Sequence, residues 1–214
     1  MSSYPVLDEA YRSLISVVEP LDDAIGWQPT RCAGWTVRDL VHHLVGDAQR
    51  ALVALHTPAV GEADVDAVTY WANWKPGTPG AVAGLRGIRI MASAWSSVTS
   101  IAELYTETAT AVLTAARGRD GAELLATQGH AITLDDLLST LAVEATVHQL
   151  DLGLGSPSPA GLREVRRVLD GLLGRPVPIA DDARYALVGT GREPLDDAES
   201  ALLGADRTRF PLFG

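Results

Sequence analysis

Glu144 and His148 are four residues apart, so on a helix their side chains leave the same face one turn apart, and one ion could bridge them. Leu137 and Leu141 precede them on the same stripe, which puts a carboxylate where an apolar side chain is expected. A buried carboxylate needs a partner. A second helical stretch carries His42 and His43 beside Leu40 and Leu44. Neighbours on a helix point about 100° apart, so only one of these imidazoles can face the Glu144–His148 pair. Two imidazoles and one carboxylate suit zinc or a similar first-row ion, and three protein ligands leave a coordination position open for water or substrate. Spacing alone also fits a solvated Glu–His pair and a hydrogen-bonded core histidine.

Four long helices must position these residues. Leu7, Tyr11, Leu14, Val18 and Leu21 recur at three- and four-residue steps, which predicts a first amphipathic helix ending near Pro20. Pro20, Gly26, Pro29 and Gly34 mark a loop up to Thr36, where Thr36 and Asp39 approximate a capping box for a second helix through Leu55. Residues 57–87, rich in glycine and proline and carrying Tyr70, Trp71 and Trp74, read as a long crossover. The apolar positions from Ile88 through Trp95 and Tyr105 to Val112 predict one continuous third helix reaching Ala116. Thr133 and Asp136 repeat the capping pattern, and a fourth helix runs to Gly153.

The rest, 155–214, opens on Gly155-Ser156-Pro157-Ser158-Pro159, with a helix expected around Leu162–Leu173 and an apolar run at Tyr185–Val188. Its apolar ending, Phe210-Pro211-Leu212-Phe213-Gly214, is expected to dock on the body. The expected organisation is a four-helix bundle over 1–154 and a small C-terminal α(+β) appendage over 155–214.

The 214 residues are 47% hydrophobic and 21% charged, enough to build a core and to set aside wholesale disorder. A net charge of -10 argues against nucleic acid as partner. No apolar run is long enough for a membrane span and no leader-like segment opens the chain, so a cytoplasmic protein is expected. The single cysteine, Cys32, agrees with a reducing compartment.

The stretch Pro29-Thr30-Arg31-Cys32-Ala33-Gly34-Trp35-Thr36-Val37-Arg38-Asp39-Leu40-Val41-His42-His43-Leu44 resembles the signature of the mycothiol-dependent maleylpyruvate isomerase family, whose members are DinB-like bundles. Val143-Glu144-Ala145-Thr146-Val147-His148-Gln149-Leu150-Asp151-Leu152 resembles that family's second block. The resemblance covers roughly residues 5–155. It implies an all-α, DinB-like four-helix bundle with a long crossover between the second and third long helices, and metal ligation by His43, Glu144 and His148. His42 stands where the family often has alanine. Asp39 and Asp47, each four residues from His43, are candidates for orienting it.

The family's characterised isomerase type carries a larger C-terminal α/β domain, whereas 155–214 is short, so no catalytic role passes to Arg192, which reads as a basic residue in a turn. The resemblance therefore implies a divalent metal (zinc, or nickel or another first-row ion) and mycothiol as co-substrate. The reaction expected is S-transfer to, or isomerisation of, a small electrophile. The crossover tryptophans and the C-terminal tail are candidate pocket walls, and a monomer or homodimer is expected. The competing readings are a non-catalytic metal-binding DinB-like protein and a metal-dependent hydrolase using activated water.

Overall fold

The computed structural model describes residues 2–74 and 78–214. The order is α1 (Tyr4–Val18), α2 (Asp23–Gly26), α3 (Val37–Leu55), α4 (Pro79–Ser93), α5 (Val98–Ala116), β1 (Leu124–Thr127), β2 (His130–Thr133), α6 (Leu134–Leu152), α7 (Pro159–Leu173), α8 (Asp182–Gly189) and α9 (Asp197–Leu203). Short 3-10 segments at Thr69–Trp71 and Gly204–Arg209 complete it.

The long helices α1, α3, α5 and α6 form the bundle, with α3 against α5 and α1 against α6. Leu7, Ala10, Tyr11, Leu14 and Val18 are the buried stripe of α1, and Leu40, Val41, Leu44, Ala48 and Ala51 that of α3. Such stripes form because three- and four-residue steps keep apolar side chains on one side of a helix. Helix α6 is different. It is buried around nearly its whole circumference, Ser139, Thr146 and Gln149 included, because α7 covers its outer side with Val165, Val168, Leu169 and Leu173. It therefore lacks the one-sided pattern of a surface helix.

The third long helix departs from expectation. Instead of one helix from Ile88 to Ala116, the chain makes α4 and α5 with a break at residues 94–97. The apolar period continues across the break, but side chains stop the backbone. Ser97 caps α5 by accepting from the Ser100 amide at 3.1 Å, and the Asp23 carboxylate accepts from the Val98 amide at 2.7 Å. Arg38 Nη2 donates to the Ala92 and Trp95 carbonyls at 3.0 and 2.8 Å, satisfying the end of α4. The expected crossover accordingly carries a helix of its own; its residues 75–77 lie outside the described residues.

Strands β1 and β2 pair antiparallel, and both residues of the connecting turn, Gln128 and Gly129, have positive φ (49° and 85°), as a type I′ hairpin turn requires. The hairpin delivers the chain into Thr133, whose hydroxyl accepts from the Asp136 amide at 3.2 Å to cap α6. At Thr36 both halves of the capping box form. At Asp136 the carboxylate also accepts from the Ala67 amide at 3.1 Å, tying the crossover to the start of α6. Gly153, with φ 68°, ends α6 in the left-handed conformation.

Residues 155–214 are helical with connecting loops among the described residues; the small β component lies in the hairpin before α6. The apolar tail docks as expected. Phe213 stacks on Trp71 with ring centroids 4.6 Å apart, and the Leu212 amide donates to the Gly189 carbonyl at 2.8 Å. Helix α7 approaches α6 at Gly161, where an added Cβ would sit 2.2 Å from Thr146 Oγ1. That hydroxyl already donates to the Ala142 carbonyl at 2.7 Å. Gly161→Ala is expected to cost about 1–3 kcal/mol by overpacking, read as a lower urea midpoint; an unchanged midpoint would show that α7 is not held this closely.

Candidate metal centre

His43 and Asp47 stand one turn apart on α3, and Glu144 and His148 one turn apart on α6. The two helices face each other, and the pairs converge. His43 Nε2 lies 3.0 Å from His148 Nε2, His43 Nε2 lies 3.1 Å from Asp47 Oδ2, and His148 Nε2 lies 3.2 Å from Glu144 Oε2. One donor atom from each of the four falls within 4.8 Å of all the others. The side chains of Asp47 and His148 are 8% and 7% exposed, those of His43 and Glu144 19% and 29%, so the cluster is closed at its base and open on one side.

The three residues expected to act together, His43, Glu144 and His148, are thus brought together. His42 is not part of the group; its ring lies 6.4 Å from that of Trp95. Asp39 does not orient His43, because its Oδ2 accepts from the Thr36 amide at 2.9 Å and from the Thr36 hydroxyl at 2.8 Å. Helix capping accounts for it fully.

The partner that orients His148 is Asp151, a turn further along α6. Asp151 Oδ2 lies 2.9 Å from His148 Nδ1 and the side chain is wholly buried. Behind it, Arg192 donates from Nε to Oδ1 at 3.2 Å and from Nη2 to Oδ2 at 3.1 Å. Cys32 Sγ donates to the same Oδ2 at 3.1 Å. Arg192 is therefore not a solvated turn residue. Its Nη1 also donates to the Thr190 carbonyl, and it brings the C-terminal segment to the back of the site. Cys32, His148 and Asp151 form a second group able to hold a metal.

Burial and charge oppose each other around the convergence point. Burial would raise the Glu144 carboxyl, but the hydrogen bond and charge of His148, with His43 and Arg192, hold it well below the usual carboxylate range. Burial would likewise raise Asp151, but His148 and Arg192 hold it down. Burial disfavours a charged His148, yet Asp151, Cys32 and Glu144 together push it well above an ordinary histidine. His43 is lowered by burial, with Asp47 opposing and His148 adding to the shift. Asp47 is raised by burial, with the charge of Glu144 adding to it.

Two aromatic groups, Trp35 and Tyr70, lie beside the cluster. The Trp35 ring lies 5.1 Å from that of His43, and its Nε1 donates to the Leu85 carbonyl of α4 at 3.1 Å. The Tyr70 hydroxyl accepts from Gln128 Nε2 at 2.6 Å and feels the charges of Glu144, Arg50 and Asp47. Trp71 is buried against Phe213, whereas Trp74 is 44% exposed.

The residues fit a first-row divalent ion. Two imidazole nitrogens and two carboxylate oxygens are a suitable donor set. Bonds of about 2.0–2.1 Å to a tetrahedral ion place neighbouring donors roughly 3.3 Å apart, close to the His43–His148, His43–Asp47 and His148–Glu144 separations. Among the described residues Asp47 Oδ2 has no hydrogen-bond partner although it is buried.

Fold and cluster together define a helical bundle in which two facing helices bring metal-type donors to one point. A family model described as the mycothiol maleylpyruvate isomerase N-terminal domain matches residues 7–153, and the chain belongs to that family. Among solved structures it is similar to the mycothiol-dependent maleylpyruvate isomerase and to a histidine-to-alanine mutant of that enzyme. Each superposes with a TM-score of 0.57 at 15% identity, over 78% of this chain and 68% of that chain, a likeness of fold. No curated protein matches.

Removing Arg192 would leave buried Asp151 without its cation. Arg192→Leu is expected to lower unfolding free energy by about 3 kcal/mol, measured by urea denaturation. A loss below about 0.5 kcal/mol would mean that solvent reaches Asp151 and the pair is not buried.

Proposed function

We propose that this chain is a metal-dependent enzyme that uses a low-molecular-weight thiol, mycothiol, for S-transfer to or isomerisation of a small electrophile. His43, Glu144 and His148 hold the metal, zinc or another first-row ion. The observation that carries this is the convergence of both imidazole Nε2 atoms and the Glu144 carboxylate, with Asp151 on the far nitrogen of His148. Ligating histidines characteristically have such a partner, which fixes ring orientation and tautomer. Membership of the family supports the thiol, because the matching model is described by mycothiol-dependent isomerisation.

A metal in this place supplies Lewis acidity, which lowers the pKa of a thiol enough to make its nucleophilic form available at neutral pH. The protein's part is to fix geometry and exclude water. Asp151, held by Arg192, keeps His148 Nδ1 occupied so that Nε2 faces the cluster. Trp35 covers His43, and the solvated flank of Glu144 leaves an approach for small reactants. Among the described residues no helix is long and apolar enough to cross a membrane.

Elemental analysis of wild type and His148→Ala, followed by thiol-consumption assays with mycothiol and generic electrophiles, tests the proposal. Wild type should carry close to one metal per chain and consume thiol; His148→Ala should lose both. Full metal retention in the variant would refute the ligand set, and turnover without thiol would identify a hydrolase instead. Chelation should leave far-UV helicity largely intact, since core packing holds the bundle together; collapse on chelation would mean a structural metal.

A further inference from the structure

We infer that Asp47 is a fourth protein ligand of the metal, bound through Oδ2, so that the resting centre has an N2O2 donor set and a thiol enters as a fifth ligand. This rests on the proposed metal function. Three observations point to it.

The first is which nitrogen Asp47 approaches. A carboxylate that orients a ligating histidine engages the ring nitrogen pointing away from the metal. Asp151 does this, lying 2.9 Å from His148 Nδ1, whereas His148 faces the cluster through Nε2. Asp47 does not. Its Oδ2 lies 3.1 Å from His43 Nε2, the same nitrogen that lies 3.0 Å from His148 Nε2. It stands beside the donors, in their shell.

The second is the state of the carboxylate. Oδ1 is engaged by Arg50 Nη2, while Oδ2, beside His43 Nε2, is buried with no hydrogen-bond partner among the described residues, in a side chain only 8% exposed. An unpartnered buried carboxylate oxygen is costly. Engagement of Oδ1 by Arg50 leaves a single oxygen for the metal, which specifies one-oxygen binding by Asp47.

The third is charge. Two neutral imidazoles with the Asp47 and Glu144 carboxylates balance a divalent cation. In the protein the charges that offset buried Asp47 are those of His43, half-exposed Arg50 and His148; once both imidazoles are neutral ligands, that offset falls to Arg50 and the metal itself.

Cobalt(II) substitution tests this, because the ligand-field absorption of Co(II) reports its donor set directly. Wild type, Asp47→Ala and Asp151→Asn are loaded with Co(II), and affinity is measured by chelator competition. Asp47→Ala is expected to change the position and intensity of the visible bands and to weaken metal binding by more than about 100-fold. Asp151→Asn, which among the four clustered residues meets only the far nitrogen of His148, is expected to keep the band pattern and lose about 10–100-fold in affinity. Asp47→Asn, kept as a variant that preserves size should the alanine form not fold, is expected to shift the bands in the same direction. Wild-type bands in a folded Asp47 variant would overturn the inference whatever its affinity, leaving the three-residue site intact. A wild-type protein that binds no Co(II) would overturn the proposed function and this inference with it.

Discussion

Two carboxylates and two imidazoles are packed at one point between α3 and α6, and most of the structure near them answers to that constraint. A group of this kind is tolerated in an interior only if positive charge balances it and if each remaining polar atom is engaged. His148, His43 and Arg192 hold the Glu144 carboxyl low against its burial, whereas the inner oxygen of Asp47 has no hydrogen-bond partner among the described residues. The helices supply the geometry through one repeated device: on both α3 and α6 the donors are four residues apart, so one turn of each helix presents a pair.

The C-terminal segment is tied to this point from behind. Arg192 reaches Asp151, Asp151 reaches His148, and Cys32, delivered by the loop before α3, shares the same carboxylate oxygen. The Arg31 amide also donates to the Asp151 carbonyl at 3.0 Å. Asp151 is thus where the end of α6, the loop before α3 and the C-terminal segment meet. The tail acts on the other flank, through Phe213 on Trp71 and the Gly214 amide donating to the Trp74 carbonyl at 3.3 Å. A short segment therefore both braces His148 through Asp151 and packs its apolar end on the crossover.

The parts legible in the sequence are those with local causes. The stripes of α1 and α3, the caps at Thr36 and Thr133 and the glycine after α6 are written in residues close to the structure they produce. The spacing of Glu144 and His148 marked them as a candidate pair but left a solvated pair open, and the choice of His43 over His42 came from the family-like blocks. The break between α4 and α5 was not legible, because it depends on Arg38 and Asp23, distant in sequence, capping a segment whose apolar period runs on. The hairpin was hidden because Leu124–Thr133 is short and lacks a clear alternation of apolar and polar residues. Asp151 had a signal in its three-residue step from His148 on the same helix. Arg192 had none, since its contact spans 41 positions and depends on how the C-terminal segment folds back.

X-ray absorption at the edge of the metal bound by the purified protein tests the central claim most directly, since it reads donor type and bond length without reference to activity. The account predicts nitrogen and oxygen donors only, at about 2.0–2.1 Å, with the outer-shell scattering of two imidazoles. A sulfur donor at about 2.3 Å in protein free of added thiol would contradict it, for it would put the ion on Cys32, His148 and Asp151 instead of between the two helices.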